Sequence, residues 1–219
     1  MNFAPFSYLS SKPSISFSSS TFSTASLLSY TFTNLNIDSG LSVICVHAEV
    51  AAAGRTVNSV VVGGVTSSQA AQISSTQNST ATTAAIFYIR QSSSNPNVVV
   101  TFNLAPARCM VSIYKILNNK SDIPNQTRTS TATSGTGLSL AFTNLIDNSV
   151  GVAAETIGLD SVTSIAWTNA NLTYNTSLGT GATRTTGAIF TIINSENRTV
   201  SVSHTNSTQP LTLAGCVWI

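Results

Sequence analysis

An all-β protein is what this sequence predicts: a single antiparallel, jelly-roll-like β-sandwich of about 10–12 strands, built from two pseudo-repeated halves. Three observations predict it. The polar residues are overwhelmingly hydroxyls and amides, with 35 Ser, 31 Thr and 19 Asn against only 16 charged side chains in 219 residues. Thr favours strands, Ser and Asn favour turns and edges, and the helix formers Glu, Lys, Gln and Met are scarce. Apolar residues alternate with polar ones in short runs, as in half-buried strands. Finally, one strand pattern is written twice along the chain.

Taken in order, the pattern opens with SISFS at 14–18, followed by a Ser/Thr tract. LSYTFTNL at 28–35 returns at 138–145 as LSLAFTNL. Leu28, Tyr30 and Phe32 form one apolar face, and Leu138, Leu140 and Phe142 repeat its phase. VICVHAE at 43–49 parallels SVGVAAE at 149–155, which sets Glu49 against Glu155. TTAAIFYI at 82–89 returns as TTGAIFTI at 185–192. NPNVVVTF at 95–102 parallels ENRTVSVSH at 196–204, and the Cys-led strands CMVSIYKI at 109–116 and CVWI at 216–219 close the copies. Runs such as 86–89 and 98–100 are apolar on both faces, as in a covered strand. Gly63-Gly64, Asn95-Pro96-Asn97 and Gly179-Thr180-Gly181 supply turn chemistry between them.

The repeats span 14–116 and 124–219, within one sandwich covering 14–219. A five-stranded half cannot cover its own apolar face, so the halves should pack face to face. The stretch 118–133 is polar and holds one Pro, so it reads either as a long loop joining the halves of one sandwich, the favoured arrangement, or as the linker between two tandem small sandwiches. Residues 1–13 have no counterpart in the second copy and read as an extended arm. Its Phe3, Phe6, Tyr8 and Leu9 gain from burial only against a partner, which makes them candidate partner-binding residues.

The remaining composition narrows the function. The net charge of +2 comes from scattered residues, without the clustered Lys/Arg that nucleic-acid binding needs. Cys45, Cys109 and Cys216 each sit in an apolar run without metal-ligand spacing, so they read as buried thiols; no metal and no cofactor is expected. The opening MNFAPFSYLSSKPS lacks the basic and apolar regions of a signal peptide, and no run of 18 apolar residues predicts a membrane span. Seven Asn-x-Ser/Thr sequons arise naturally in a chain so rich in hydroxyls.

Titratable groups are few. His47 shares a strand face with Cys45 and Glu49, a possible metal pair or Cys–His site, or a strand histidine satisfied by its neighbours. Glu49 and Glu155 could form a glycosidase-like carboxylate pair if the halves brought them together, or lie apart on outer faces. GxSxG, GxGxxG and HExxH are absent, and no catalytic residues are assigned. Trp167, Asn169 and Asn171 would share one face of an alternating strand, a candidate glycan-binding platform with Tyr174 nearby.

The strand SISFS at 14–18, the Ser/Thr-rich turns and the ordered apolar strands LSVICV, AAIFYI, NVVVTF and CMVSIYKI resemble β-sandwich structural proteins of tailed bacteriophages, of the capsid-decoration or tail-associated type. The resemblance covers residues 14–219 and implies a non-enzymatic virion subunit, assembled in a host cytoplasm. Its expected partners are capsid or other virion proteins and further copies of itself. A surface poor in charge suits such a subunit, because uncharged strand edges invite pairing. The alternative is a tail-associated or surface module that binds host glycans.

Overall fold

The computed structural model describes residues 11–37, 39–77, 79–91, 95–159, 161–179 and 183–219. The arm residues Phe3, Phe6, Tyr8 and Leu9 lie outside them. Among the described residues there is no helix and there are seventeen strands. The first half contributes β1 (Ser14–Ser23), β2 (Ser29–Phe32), β3 (Gly40–Val50), β4 (Val57–Val62), β5 (Val65–Thr66), β6 (Ser68–Gln77), β7 (Thr80–Gln91), β8 (Val98–Phe102) and β9 (Arg108–Leu117). The second contributes β10 (Gln126–Ala132), β11 (Gly135–Leu145), β12 (Ser149–Ile157), β13 (Ala166–Thr168), β14 (Asn171–Ser177), β15 (Arg184–Ile192), β16 (Glu196–Ser207) and β17 (Leu211–Trp218).

Every strand pair is antiparallel. The first half forms an inner sheet, β1-β9-β3-β7-β6, and an outer sheet, β2-β8-β4-β5. The second half forms an inner sheet, β10-β17-β12-β15-β14, and an outer sheet, β11-β16-β13. Strand for strand, the order in the second half is that of the first, with β5 extra. The two inner sheets face each other, with β6 over β10 and β17, and β1 over β15.

The halves therefore pack face to face, as their uncovered apolar faces require, but each also carries a sheet of its own on the far side. The result is four layers and three apolar cores. Ile44, Val46, Phe87 and Val111 meet Tyr30, Phe32 and Val100 in the first half. Leu41, Val43, Ile86 and Tyr114 meet Val150, Val152, Ala214 and Trp218 between the halves. Ala153, Phe190 and Leu213 meet Leu140, Phe142 and Val202 in the second. Of the two runs that read as apolar on both faces, 86–89 lies on β7 inside an inner sheet and is covered twice, like β3, β12 and β17, whereas 98–100 lies on β8 in an outer sheet with Val99 half-buried.

The count of about 10–12 strands falls short because polar strands do not announce themselves by apolar periodicity. β6 (SQAAQISSTQ), β10 (QTRTSTA) and β14 (NLTYNTS) are edge strands, half-exposed and written in Ser, Thr, Asn and Gln. β10 lies inside the stretch 118–133 that reads as a loop.

The FTNL motif shows what the repetition is for. Phe32 and Phe142 are both buried, Asn34 and Asn144 turn the chain at φ 58° and 52°, and Leu35 and Leu145 re-enter the core. Asn is among the few residues that tolerate the left-handed region, so it sits where the chain must bend between two buried anchors. Cross-strand hydroxyl pairs also recur: Ser29 with Thr101 at 3.1 Å, and Ser139 with Ser201 at 3.0 Å.

One match shifts by a residue. Ser42 pairs with Ile89, and Ser149 with Ile192. The residue in the place of Glu49 is accordingly Thr156, and Glu155 takes the place of Ala48. A slip of one turns a side chain to the opposite face, so Glu49 and Glu155 face different layers. Leu28 also departs from expectation. It is 53% exposed, whereas Leu138 in the matching position is 8% exposed.

Candidate functional site

A buried polar cluster lies between the inner sheets. His47 on β3 is fully buried, with Nδ1 2.8 Å from Thr156 Oγ1 and Nε2 2.5 Å from Tyr174 Oη. Thr156 has one hydroxyl proton and gives it to the Thr83 carbonyl at 3.0 Å. Its oxygen can therefore only accept from the ring, which places the proton of the neutral imidazole on Nδ1. Nε2 is then the acceptor for the Tyr174 hydroxyl, whose oxygen in turn accepts from Ser112 Oγ at 3.1 Å. The chain of donation runs Ser112, Tyr174, His47, Thr156, Thr83. Every link crosses from one half to the other.

Burial lowers the His47 pKa to about 3, so the ring stays neutral over the ordinary pH range. Cys45 does share this face, as the alternation predicts, but burial raises its pKa to about 12, opposed by the Ser112 hydroxyl. A thiolate–imidazolium pair is not formed here, because both ring nitrogens are already engaged and the thiol stays protonated. Gly187 lets the aromatic rings close over the cluster: a Cβ there would lie 2.4 Å from Tyr114 Oη and from the Tyr174 ring.

The carboxylates do not converge. Glu49 sits at one end of the central layer, paired with Arg108 at 2.8 Å, and Arg108 also donates to the Leu178 carbonyl at 2.9 Å. Glu155 lies on the other side of its sheet, in the second half's own core, 3.4 Å from His204 Nε2. His204 Nδ1 donates to the Thr205 carbonyl at 2.7 Å, so Nε2 faces the carboxyl. Burial raises the Glu155 pKa despite His204. Burial opposes charge on His204, but its bond to and charge attraction with Glu155, with help from the Thr205 carbonyl, raise its pKa above the ordinary value. The three cysteines are free and buried, and no group of three His, Cys, Asp or Glu residues fit to hold a metal occurs among the described residues.

The glycan-platform residues are split between sheets. Trp167 is on β13 in the outer sheet, and Asn171 opens β14 in the inner one. Between them Asn169 takes φ 62° to turn the chain, so strand alternation does not carry across. The Trp167 ring is half-buried against the second-half core, and its Nε1 donates to Thr186 Oγ1 at 3.0 Å. Asn169 Nδ2 is engaged by the Thr199 carbonyl at 2.8 Å. Asn169 and Asn171 line a shallow open depression with Phe190, Ile193 and Arg198, and Trp167 is not part of its wall.

The sheet edges are chemically distinctive in nearly lacking charge. Among the described residues the edge strands are β1, β6, β2, β5, β10, β14, β11 and β13. Arg128 on β10 is the one charged side chain on any of them. Natural sheets usually protect their edges with Lys, other charges or Pro. Tyr174, Thr156 and Ser112, which complete the His47 cluster, carry no sequence signal of that role, because their partners come from the other half. No family model, curated protein or solved structure matches this chain.

Proposed function

We propose that this chain is a non-enzymatic structural subunit of a larger particle, in the first instance a capsid decoration or cement subunit of a bacteriophage virion. The observation that carries the reading is the row of uncharged edge strands on a chain with 16 charged residues in 219. Edges without charge or Pro, of which β11 alone is seen capped by Gln126 and Arg128 among the described residues, favour association and are tolerable where neighbouring subunits cover them. The buried state of His47, Cys45, Glu155 and His204 supports it, since these groups hold the layers in register rather than meeting solvent. The phage assignment rests on the sequence resemblance. The expected partners are virion proteins and further copies of this chain, and the expected location is the virion. Mass spectrometry of purified particles tests it: the chain should be present in many copies per particle, and its absence from particles would defeat the reading.

A second reading, a host-glycan-binding module, draws on the depression of Asn169, Asn171 and Arg198, whose amides and guanidinium suit sugar hydroxyls. A glycan array with the wild-type chain and Asn171→Ala separates the two. Binding lost in the variant favours the module.

A further inference from the structure

The corner between β10 and β11 and the corner between β1 and β2 occupy the same place in their halves but are finished differently. In the second half the free edge of β11 is capped by side chains. The Gln126 amide accepts from Thr143 N at 3.3 Å and donates to Thr143 O, and Arg128 Nε donates to Ala141 O at 2.9 Å. The ladders put Ser19 and Thr21 of β1 in the places of Gln126 and Arg128. These side chains are too short to bridge, and Ser19 Oγ instead accepts from Asn36 N at 3.2 Å.

Among the described residues no side chain caps the edge of β2 in this way. Phe102 N donates to Leu28 O at 3.0 Å, which sets Leu28, Tyr30 and Phe32 as the residues that exchange bonds with β8. Ser29, Thr31 and Thr33 aim their backbone groups the other way. Thr31 and Thr33, the counterparts of Ala141 and Thr143, border a cleft of about 260 Å³ lined also by Thr21, Phe22, Ser23 and Leu27. Phe22 and Leu27 in its lining are 45% and 44% exposed, and Leu28, next to Leu27 in the chain, is 53% exposed. A free strand edge with an apolar rim and no charge is the receptor half of β-strand addition.

We propose that this cleft receives residues 1–10 of a second copy of the chain, added in extended form along the free edge of β2. The segment MNFAPFSYLS has no charged side chain to desolvate, and Phe6 and Tyr8 share one face when extended. A neighbour is the fitting source because of where the segment starts. It joins β1 at Ser14, opposite Leu117, whereas the cleft lies by Thr21–Ser23, opposite Val111–Cys109. A subunit's own segment would have to double back along β1 over about seven residues, roughly 23 Å, to reach the cleft, and a neighbour's segment would not. The contact is heterologous, so it propagates from copy to copy and closes into a ring where the rotation permits.

The inference rests on the reading of the chain as an assembly subunit, but its test needs no particle, so either can fail alone. Sedimentation velocity across a concentration series of the full chain should show reversible association that a synthetic peptide of residues 1–10 inhibits. Ser19→Gln with Thr21→Arg imports the second half's cap; it should weaken association by about tenfold or more while the β spectrum persists. Deleting residues 2–10 should do the same, and Leu28→Ser, at an exposed site, gives the readout without touching the cap. The proposal is overturned if association is unchanged in these variants. A chain that stays monomeric up to about 1 mM also overturns it. So does a chain that stays monomeric yet binds the peptide at the cleft, which would mean that a subunit's own segment or a foreign strand is the occupant.

Discussion

The two halves share one strand order, the same Phe–Asn–Leu turn and the same cross-strand hydroxyl pair, yet each buries its histidine differently. His47 of the first half faces the other half and is neutral, satisfied by two hydroxyls. His204 of the second half faces that half's own core and leans on a carboxyl. The difference teaches that the layers are held by different means. The His47 cluster of the central layer uses uncharged hydrogen bonds crossing between halves, with the charged Arg108–Leu178 bond at the end of that layer, while the outer one contains a buried acid–base pair. A buried network of this kind specifies a single register, because each donor left without its acceptor carries the full desolvation penalty.

The halves should respond equally where they are alike. Phe32→Ala and Phe142→Ala each remove a buried ring from matching positions and should each cost about 3–5 kcal/mol, measured by urea denaturation. A cost below about 1 kcal/mol for either would mean that its core collapses around the gap and that the two are not equivalent.

The histidines should respond oppositely to pH. His47 has a folded pKa near 3 against an ordinary 6.5, so the unfolded chain binds more protons between those values and stability falls on acidification. Between pH 7 and pH 4 this should remove about 3 kcal/mol, and His47→Gln should lose that component of the slope. For His204 and Glu155 the folded pKa values are raised, so their contribution is complete at low pH and declines as pH rises through the folded values. A His204→Gln variant that steepens no acid slope and loses the alkaline decline sharpens the contrast. Equal slopes in wild type and His47→Gln would remove it.

Smaller effects test the network and the corner. Tyr174→Phe strands the Ser112 donor and the His47 acceptor in the central layer and should cost about 1–3 kcal/mol. Leu28→Ala should change the stability of the dilute chain by no more than about 0.5 kcal/mol. By contrast, Leu138→Ala should cost about 2–5 kcal/mol. Comparable costs would show that Leu28 is covered within one chain.

Much of the fold is legible along the chain. β2, β11 and β16 follow from their alternation and β15 from its likeness to 82–89, and Gly63-Gly64 and Asn95 mark turns from residue chemistry alone, whereas the bends at Asn34 and Asn144 come from the structure. β6, β10 and β14 are not legible in the same way, because an edge strand written in Ser, Thr and Asn has the composition of a loop. The candidate sites are less legible still. Trp167, Asn169 and Asn171 look continuous only until the chain is seen to turn at Asn169 and change sheet. The pairing of Glu49 with Glu155 is a one-residue slip that similarity between two Ser/Thr-rich copies cannot detect.

What the sequence determines by itself is therefore local and periodic. Hydroxyl-rich alternation makes antiparallel strands, Asn and Gly place the bends, and repetition makes two like halves. The tertiary structure alone decides which face of each strand meets which layer. Runs that are apolar on both sides do not say whether one sheet or two will cover them, and the energy of covering belongs to the assembled stack. For the same reason only the stack brings His47 between Thr156 and Tyr174, over a hundred residues away in sequence. The open edge of β2 likewise exists only by comparison with the capped edge of β11, since what distinguishes them is the reach of two side chains across a corner.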